Sequence, residues 1–351
     1  MKVLMLHGYS ATNAGDGLLV EESINVLREA LGSDVTFTVT ALHPETFAHV
    51  DAHVIDARPT ARGWSPEYRD LRGRMAEFDI VVGVGGGYLR AGTLTEYAKT
   101  LLAHAPQLRL LNRYRGPIVY LPQSVGPFRW DIAGVLRRLL RRVDTIYLRD
   151  DRSVAELKLT SATRIPDLAL LSSGWAPREV TPEVAAPTVL TTRFVGGRLP
   201  KDVVALAEML TPFDGYVQST GAGNDDTAAV AQTAPSRILE RQEFLGPGTR
   251  RVVVAVRLHA ALMALRAGHW VIHLAYERKG FGAFADLGLP EYVHNVNSFD
   301  PTVVFKQVDS LRHQPETRKA YDSQLKTAQS GFAAERARLV RGIRSEVPVF
   351  E

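Results

Sequence analysis

Short apolar runs alternate with amphipathic stretches through the first half of the chain. Residues 3–6 read as a strand, 17–31 as an amphipathic helix, 35–40 as a strand and 80–84 as a buried strand. A helical stretch at 94–103, a strand at 118–121, a helix at 132–142 and a strand at 145–148 continue the series. Strands spaced by helices predict a parallel sheet covered on both faces.

The pattern breaks at 172–187, where serine, glycine, tryptophan and three prolines replace any periodicity. It resumes with strands at 188–192 and 252–256, a helix at 199–210 and an apolar run at 270–275. Residues 315–346 form a long polar helical stretch. The expected organisation is an N-terminal Rossmann-like domain over 1–171, a linker over 172–187 and a C-terminal Rossmann-like domain with a terminal helix over 188–351. Two such domains predict a cleft between them, faced by the loops at the carboxyl ends of both sheets.

Length and composition narrow the classes. A chain of 351 residues is long enough for two cores, and 45% hydrophobic with 23% charged residues is the balance of a globular protein. The chain has no cysteine, which excludes disulfides, thiolate nucleophiles and thiolate metal sites. The opening apolar run is too short for a signal-peptide core, and no run approaches the ~20 apolar residues of a membrane span. A cytoplasmic location is expected. The net charge of +4 favours anionic ligands or membrane surfaces, and no motif points to nucleic acid.

Candidate chemistry collects at strand ends. Arg257-Leu258-His259 follows the run 252–256 and precedes a helical pattern closed by Gly268. Histidine moves a proton near neutral pH, and arginine holds carboxylate or phosphate with two parallel hydrogen bonds. Arg193 ends the strand 188–192 in the same domain, and two converging arginines suit a substrate bearing both anions. Arg149 ends the strand 145–148 and is a further ligand candidate. Asp167 reads as either structural or ligand-facing, whereas Asp225 and Asp226 read as solvated.

Three loops of small residues complete the set. The loop 8–17 carries Asn13 and Asp16, suited to sugar hydroxyls, with Asp16 otherwise a helix N-cap. Gly85-Gly86-Gly87 follows a buried strand and permits positive φ or close backbone approach, or serves as a tight turn. It lacks the Gly-x-Gly-x-x-Gly spacing of a dinucleotide site. Pro122-Gln123-Ser124 departs from a hydrolase nucleophile elbow at its first glycine, which casts Gln123 and Ser124 as hydrogen-bonding groups. No metal-ligand spacing is present, so catalysis without a bound metal is expected. The helix 132–142 alternates apolar and basic pairs, which suits either a solvated basic face or contact with an anionic membrane surface.

In this order, Asn13-Ala14-Gly15-Asp16, Gly85-Gly86-Gly87, Pro122 to Pro127, Arg149-Asp150 with Ser153, Asp167, Arg257-Leu258-His259 and Tyr276-Glu277-Arg278-Lys279 resemble the polysaccharide pyruvyl transferase family. The resemblance implies a GT-B-like arrangement and transfer of a pyruvyl group from phosphoenolpyruvate to a sugar, giving a pyruvate ketal and phosphate. It implies no cofactor beyond that co-substrate, and a glycan or lipid-linked oligosaccharide as acceptor. By resemblance Arg257 and His259 are catalytic, and Leu258, Arg193, Lys279 and Arg149 hold the donor. Asn13, Asp16, Gly86, Gly87 and Gln123 face the acceptor. The chain departs from the pattern after Gly87, where Tyr88-Leu89-Arg90 brings no acidic residue. Two alternatives stand beside this: a nucleotide-sugar glycosyltransferase using Glu277 for a ribose, and a non-catalytic sugar-binding protein.

Overall fold

The computed structural model describes residues 1–128, 132–172, 174–176, 184–221 and 224–347. Part of the expected linker therefore lies outside the described residues. The chain divides into two compact units, one comprising residues 1–11, 16–171 and 333–351, the other 12–15 and 172–332.

The first unit opens with β1 (Lys2–Gly8), α1 (Ala14–Leu31), β2 (Thr36–Ala41), β3 (His53–Asp56), α2 (Pro66–Arg74), β4 (Ile80–Gly83) and β5 (Gly86–Ala91). It continues with α3 (Leu94–Lys99), α4 (Ala105–Leu110), β6 (Ile118–Phe128), α5 (Ile132–Leu139), β7 (Thr145–Leu148), α6 (Asp151–Leu157), β8 (Ala162–Arg164) and α7 (Leu168–Leu171). A π-helical turn, Thr100–His104, joins α3 to α4. The strands pair in the order β3-β2-β1-β4-β6-β7-β8, all parallel, with β5 on β6.

Central parallel strands are covered on both faces, so β1 is buried from Val3 onward and β4 throughout. One continuous core joins Leu4, Leu6, Val81 and Ile118 of the strands to Leu71, Leu108, Leu136 and Leu157 of the helices.

Strand β5 is the element the periodicity does not announce. It runs on from β4 along the same side of β6, with Val82↔Val119 in one ladder and Gly86↔Gln123 in the next. Pro122 has no N–H to give a ladder, and it falls in the gap between the two. The glycines serve close approach, and none from 83 to 87 has positive φ. A Cβ on Gly83 would lie 2.5 Å from the Tyr120 ring, and one on Gly85 2.8 Å from the Pro122 carbonyl oxygen.

The second unit carries β9 (Val189–Thr191), α8 (Lys201–Leu210), β10 (Asp214–Gly215), α9 (Thr227–Gln232), β11 (Arg237–Ile238) and α10 (Arg241–Leu245). Then follow β12 (Val252–Ala255), α11 (Leu258–Arg266), β13 (Trp270–Ala275), α12 (Arg278–Asp286), β14 (Val293–Asn295), α13 (Pro301–His313) and α14 (Pro315–Glu346). Its parallel sheet has the order β11-β10-β9-β12-β13-β14.

The division departs from the expected domains at one end. Residues from Ala333 belong to the first unit. There Leu339 and Ile343 are buried, the Arg336 Nε bonds the Glu29 carboxylate at 2.7 Å, and Arg344 donates to the Ala30 carbonyl at 3.0 Å. Among the described residues, no helix is long and apolar enough to cross a membrane.

Candidate active site

Strand β12 is a run of valines that ends at Ala255, paired with Thr191 of β9. Val256 still donates to the Thr191 carbonyl at 2.9 Å, and Arg257 then becomes the N-cap of α11. The buried Arg257 guanidinium is bonded through Nε and Nη2 to Asp226, the latter at 2.7 Å, and Nη2 also reaches the Asn224 carbonyl at 2.9 Å. The polar loop is folded over the strand end because the Asp226 N–H donates to the Ser219 carbonyl at 2.8 Å.

This corrects the reading of Asp226 as solvated; only Asp225 is exposed. Burial pushes the Asp226 carboxyl above its usual range, against the pull of Arg257 and Arg193. It also changes Arg257. The edge expected to grip an anion already grips Asp226, so the residue supplies charge and shape at the strand end rather than an open fork.

His259 lies in the first turn of α11, half-buried, with Leu258 buried beside it. A helix N-terminus offers unpaired amides and a positive dipole end. The imidazole packs on Gly15, where a Cβ would fall 2.4 Å from Nδ1. Only glycine fits there.

Thr12–Gly15 belongs to the second unit, and Asn13 bridges Ser219 as an isolated antiparallel pair. Asn13 was expected on the N-terminal side with the acceptor residues, and the structure groups it instead with His259 and Arg257. Its Oδ1 accepts from the Gly15 N–H at 3.3 Å, so Asn13 stands at the cap position of α1. Asp16 is thus no N-cap: it lies in the first helical turn and remains in the first unit.

Two expected donor ligands of the second unit have partners of their own. Arg193 donates to the Tyr276 hydroxyl at 3.0 Å, with its guanidinium carbon 5.0 Å from that ring centre. Lys279 pairs with Glu277 at 2.9 Å. Beneath them His273, which the sequence reading did not single out, is wholly buried on β13. Its Nδ1 donates to the Ala255 carbonyl at 2.8 Å, and burial lowers its pKa to about 4. Its burial inside an apolar run left no periodic signal to find it by.

The first unit gathers a second cluster at the ends of β6 and β7. Gly86 is in register with Gln123, and Gln123 with Leu148, immediately before Arg149. The buried Arg149 donates through Nε to Ser124 at 2.9 Å and pairs through Nη1 with the buried Asp167. Its Nη2 lies 3.3 Å from where a Gly87 Cβ would be. That Nη2, and both the oxygen and the nitrogen of the Gln123 amide, are buried without a hydrogen-bond partner in the chain. Unpaired buried polar atoms each cost about 1–3 kcal/mol, so three in one place mark a site built for a polar ligand. Arg149 was expected with the donor residues of the second unit; the structure places it among Gly86, Gly87 and Gln123. Asp150 caps α6, accepting from the Ser153 N–H at 2.8 Å.

A third group was missed entirely. His7, next to last in β1, has φ +74°, stacks on Tyr88 at 4.6 Å and bonds the Tyr120 hydroxyl at 2.9 Å through Nε2. Its Nδ1 lies 3.3 Å from the Nδ1 of His104 in the π-helical turn. Burial lowers the pKa of both, His104 to about 4. The two rings therefore stay neutral, and one nitrogen must donate to the other.

The fold is shared with sugar-handling proteins. A protein from Listeria monocytogenes assigned as a UDP-N-acetylglucosamine 2-epimerase aligns with TM-score 0.59 and 13% identity over 100% of this chain and 97% of its own. The S. aureus MnaA structure with UDP gives 0.56 and 12%, covering 98% and 96%. OtsA gives 0.58 and 10%, covering 99% and 100%. At these identities the likeness is one of fold, the GT-B class. No curated protein sequence matches the chain significantly. The family profile described as Polysaccharide pyruvyl transferase matches residues 13–218, from the Asn13 cap to the strand-end loop of β10. By that match over more than half its length, the chain belongs to the polysaccharide pyruvyl transferase family.

Proposed function

We propose that the chain transfers the pyruvyl group of phosphoenolpyruvate to a sugar of a polysaccharide or its lipid-linked precursor, releasing phosphate and leaving a cyclic ketal. The observation that carries this reading is the Arg257-Leu258-His259 turn. It sets an imidazole, the amides of a helix N-terminus and a guanidinium at one strand end.

In this reading His259 protonates the methylene carbon of the donor, which develops positive charge at C2. A sugar hydroxyl adds to C2 and loses its proton. A second hydroxyl then displaces phosphate, so two C–O bonds form as one breaks. A general acid so placed contributes roughly 10²–10⁴-fold. In the second unit the Leu258 amide, Arg193 and Lys279 hold the donor's anionic groups, with Arg257 oriented by Asp226, while Arg149 supplies charge among the acceptor residues of the first unit. Asp16, Gly86, Gly87 and Gln123 hold the acceptor, and Asn13 orders the turn against which His259 packs. The reaction calls for no resident metal or cofactor, and its setting is the cytoplasmic side of a membrane carrying the acceptor. A nucleotide-sugar reading is less well supported, because Glu277, its ribose ligand, is engaged by Lys279.

The test is phosphate release from phosphoenolpyruvate with a panel of glycosyl acceptors, on wild type and His259→Ala. Acceptor-dependent release that falls at least ~100-fold in the variant is expected. No release with any acceptor, and no donor-induced thermal shift, would overturn the assignment.

A further inference from the structure

The stretch from α3 to the end of α5 carries an unusual outer surface. Leu94, Ala98, Leu101 and Leu102 recur at i, i+4, i+7 and i+8 and are all exposed. Leu94 is 72% exposed, Leu102 62% and Leu101 40%. The opposite side of the same helical stretch turns Thr100 and His104 inward. The stretch thus turns polar Thr100 and His104 inward and its leucines toward solvent. On α5, Val135 is 54% exposed while Leu136 is buried.

The charge of this stretch is as skewed as its hydrophobicity. Residues 94–143 hold nine Lys and Arg against two Asp and Glu, in a chain whose net charge is only +4. Lys99, Arg109, Arg138 and Arg141 are exposed.

Topology puts these helices side by side. Strands β4 and β5 run along one side of β6, and β7 lies on the other. Right-handed crossovers from β5 to β6 and from β6 to β7 therefore carry α3–α4 and α5 over the same face as neighbours. Both start from one edge, since Ala91 is in register with Phe128 and a Gly92 Cβ would meet Pro127 at 2.8 Å.

We infer that this face of the first unit docks on an anionic membrane surface. Exposed leucines among arginines match the chemistry of a bilayer interface, where apolar side chains enter the acyl boundary and cations meet anionic headgroups. A second copy fits less well, because a two-fold contact would set this basic face against itself. The inference extends the proposed reaction by naming where it takes place, and its test does not depend on turnover.

The experiment is sedimentation of the full chain with vesicles of phosphatidylcholine alone and of phosphatidylcholine mixed with phosphatidylglycerol. Wild type is expected to partition onto the mixed vesicles only. Each basic side chain near the surface is worth roughly fivefold, the equivalent of about 1 kcal/mol, so Arg138→Gln with Arg141→Gln should weaken partitioning ~25-fold. Leu101→Asp with Leu102→Asp should abolish it, with far-UV circular dichroism checking the fold. If the leucine variant does not fold, the arginine pair decides alone.

Equal binding to both vesicle types, or binding untouched by the arginine pair, overturns the inference. So does a concentration-dependent dimer that the leucine substitutions dissociate. Phosphate release with a soluble acceptor should stay at the wild-type level in both variants. If wild type releases none, the reaction assignment fails while the vesicle result stands.

Discussion

The His259 ring fills the space that a side chain on residue 15 would need: a Cβ there would come within 2.4 Å of Nδ1 and 2.6 Å of the histidine's own Cβ. Gly15→Ala must therefore move the imidazole or the Thr12–Gly15 segment. Misplacing a catalytic group by about 1 Å costs on the order of 100-fold, so kcat for phosphate release should fall by that much. The donor-induced thermal shift should change little. A variant within twofold of wild type would mean that Gly15 does not set the position of His259.

Much of the architecture could be read from the chain, and the reasons differ by element. Strand β12 announces itself because a central parallel strand is apolar on both faces, and Val252–Ala255 is fully buried. Strand β5 could not be read, since Gly86, Gly87 and Arg90 carry no strand pattern and it exists only by pairing with β6. Strands β10 and β11 are two residues each, below any period. Arg257 and His259 stood out as strand-end residues, but the partner that occupies Arg257 lies 31 positions away. Sequence spacing says nothing about such a contact, so Asp226 looked like any loop carboxylate.

Asp226→Ala leaves a buried guanidinium without its counter-charge. Removing one partner of a buried pair costs about 3–5 kcal/mol. Urea denaturation should show that loss, and Asp226→Ala combined with Arg257→Met should recover most of it. Equal stability of Asp226→Ala and wild type would place the pair in solvent-like surroundings instead.

The same cycle at Arg149 and Asp167 separates structure from ligand binding. Arg149→Met alone should cost about 3–5 kcal/mol, and Arg149→Met with Asp167→Leu should restore stability. Phosphate release should stay lost in both, because the Nη2 beside Gly87 is gone. Activity that returned with stability in the double variant would reduce Arg149 to a structural role.

Buried neutral histidines give stability a definite pH dependence. Burial, with the charge of the neighbouring His104 adding to it, holds His7 well below its ordinary value, and burial puts His104 and His273 at about 4. An unfolded histidine takes up its proton near pH 6.5, so the unfolded state binds more protons between about pH 4 and 6.5 and stability rises with pH across that window. It is complete above the window and lost as pH falls through it. For His104 and His273 the loss should reach roughly 2 kcal/mol each by pH 5. Urea midpoints at pH 7 and pH 5 measure it, and His104→Gln should flatten the slope. A midpoint unchanged between those pH values would contradict neutral, buried rings.

Helix α14 makes the first unit depend on residues that follow the second. Helix α14 starts in the unit that precedes it, and its residues from Ala333 return to the unit where the chain began. A fragment cut after Leu171 would keep every strand of the first sheet, yet it would lose Leu339 and Ile343 from the core and Arg336 from Glu29. Synthesis must therefore run past Ile343 before the first unit can close, so its final packing comes only after the strands of the second unit have been made.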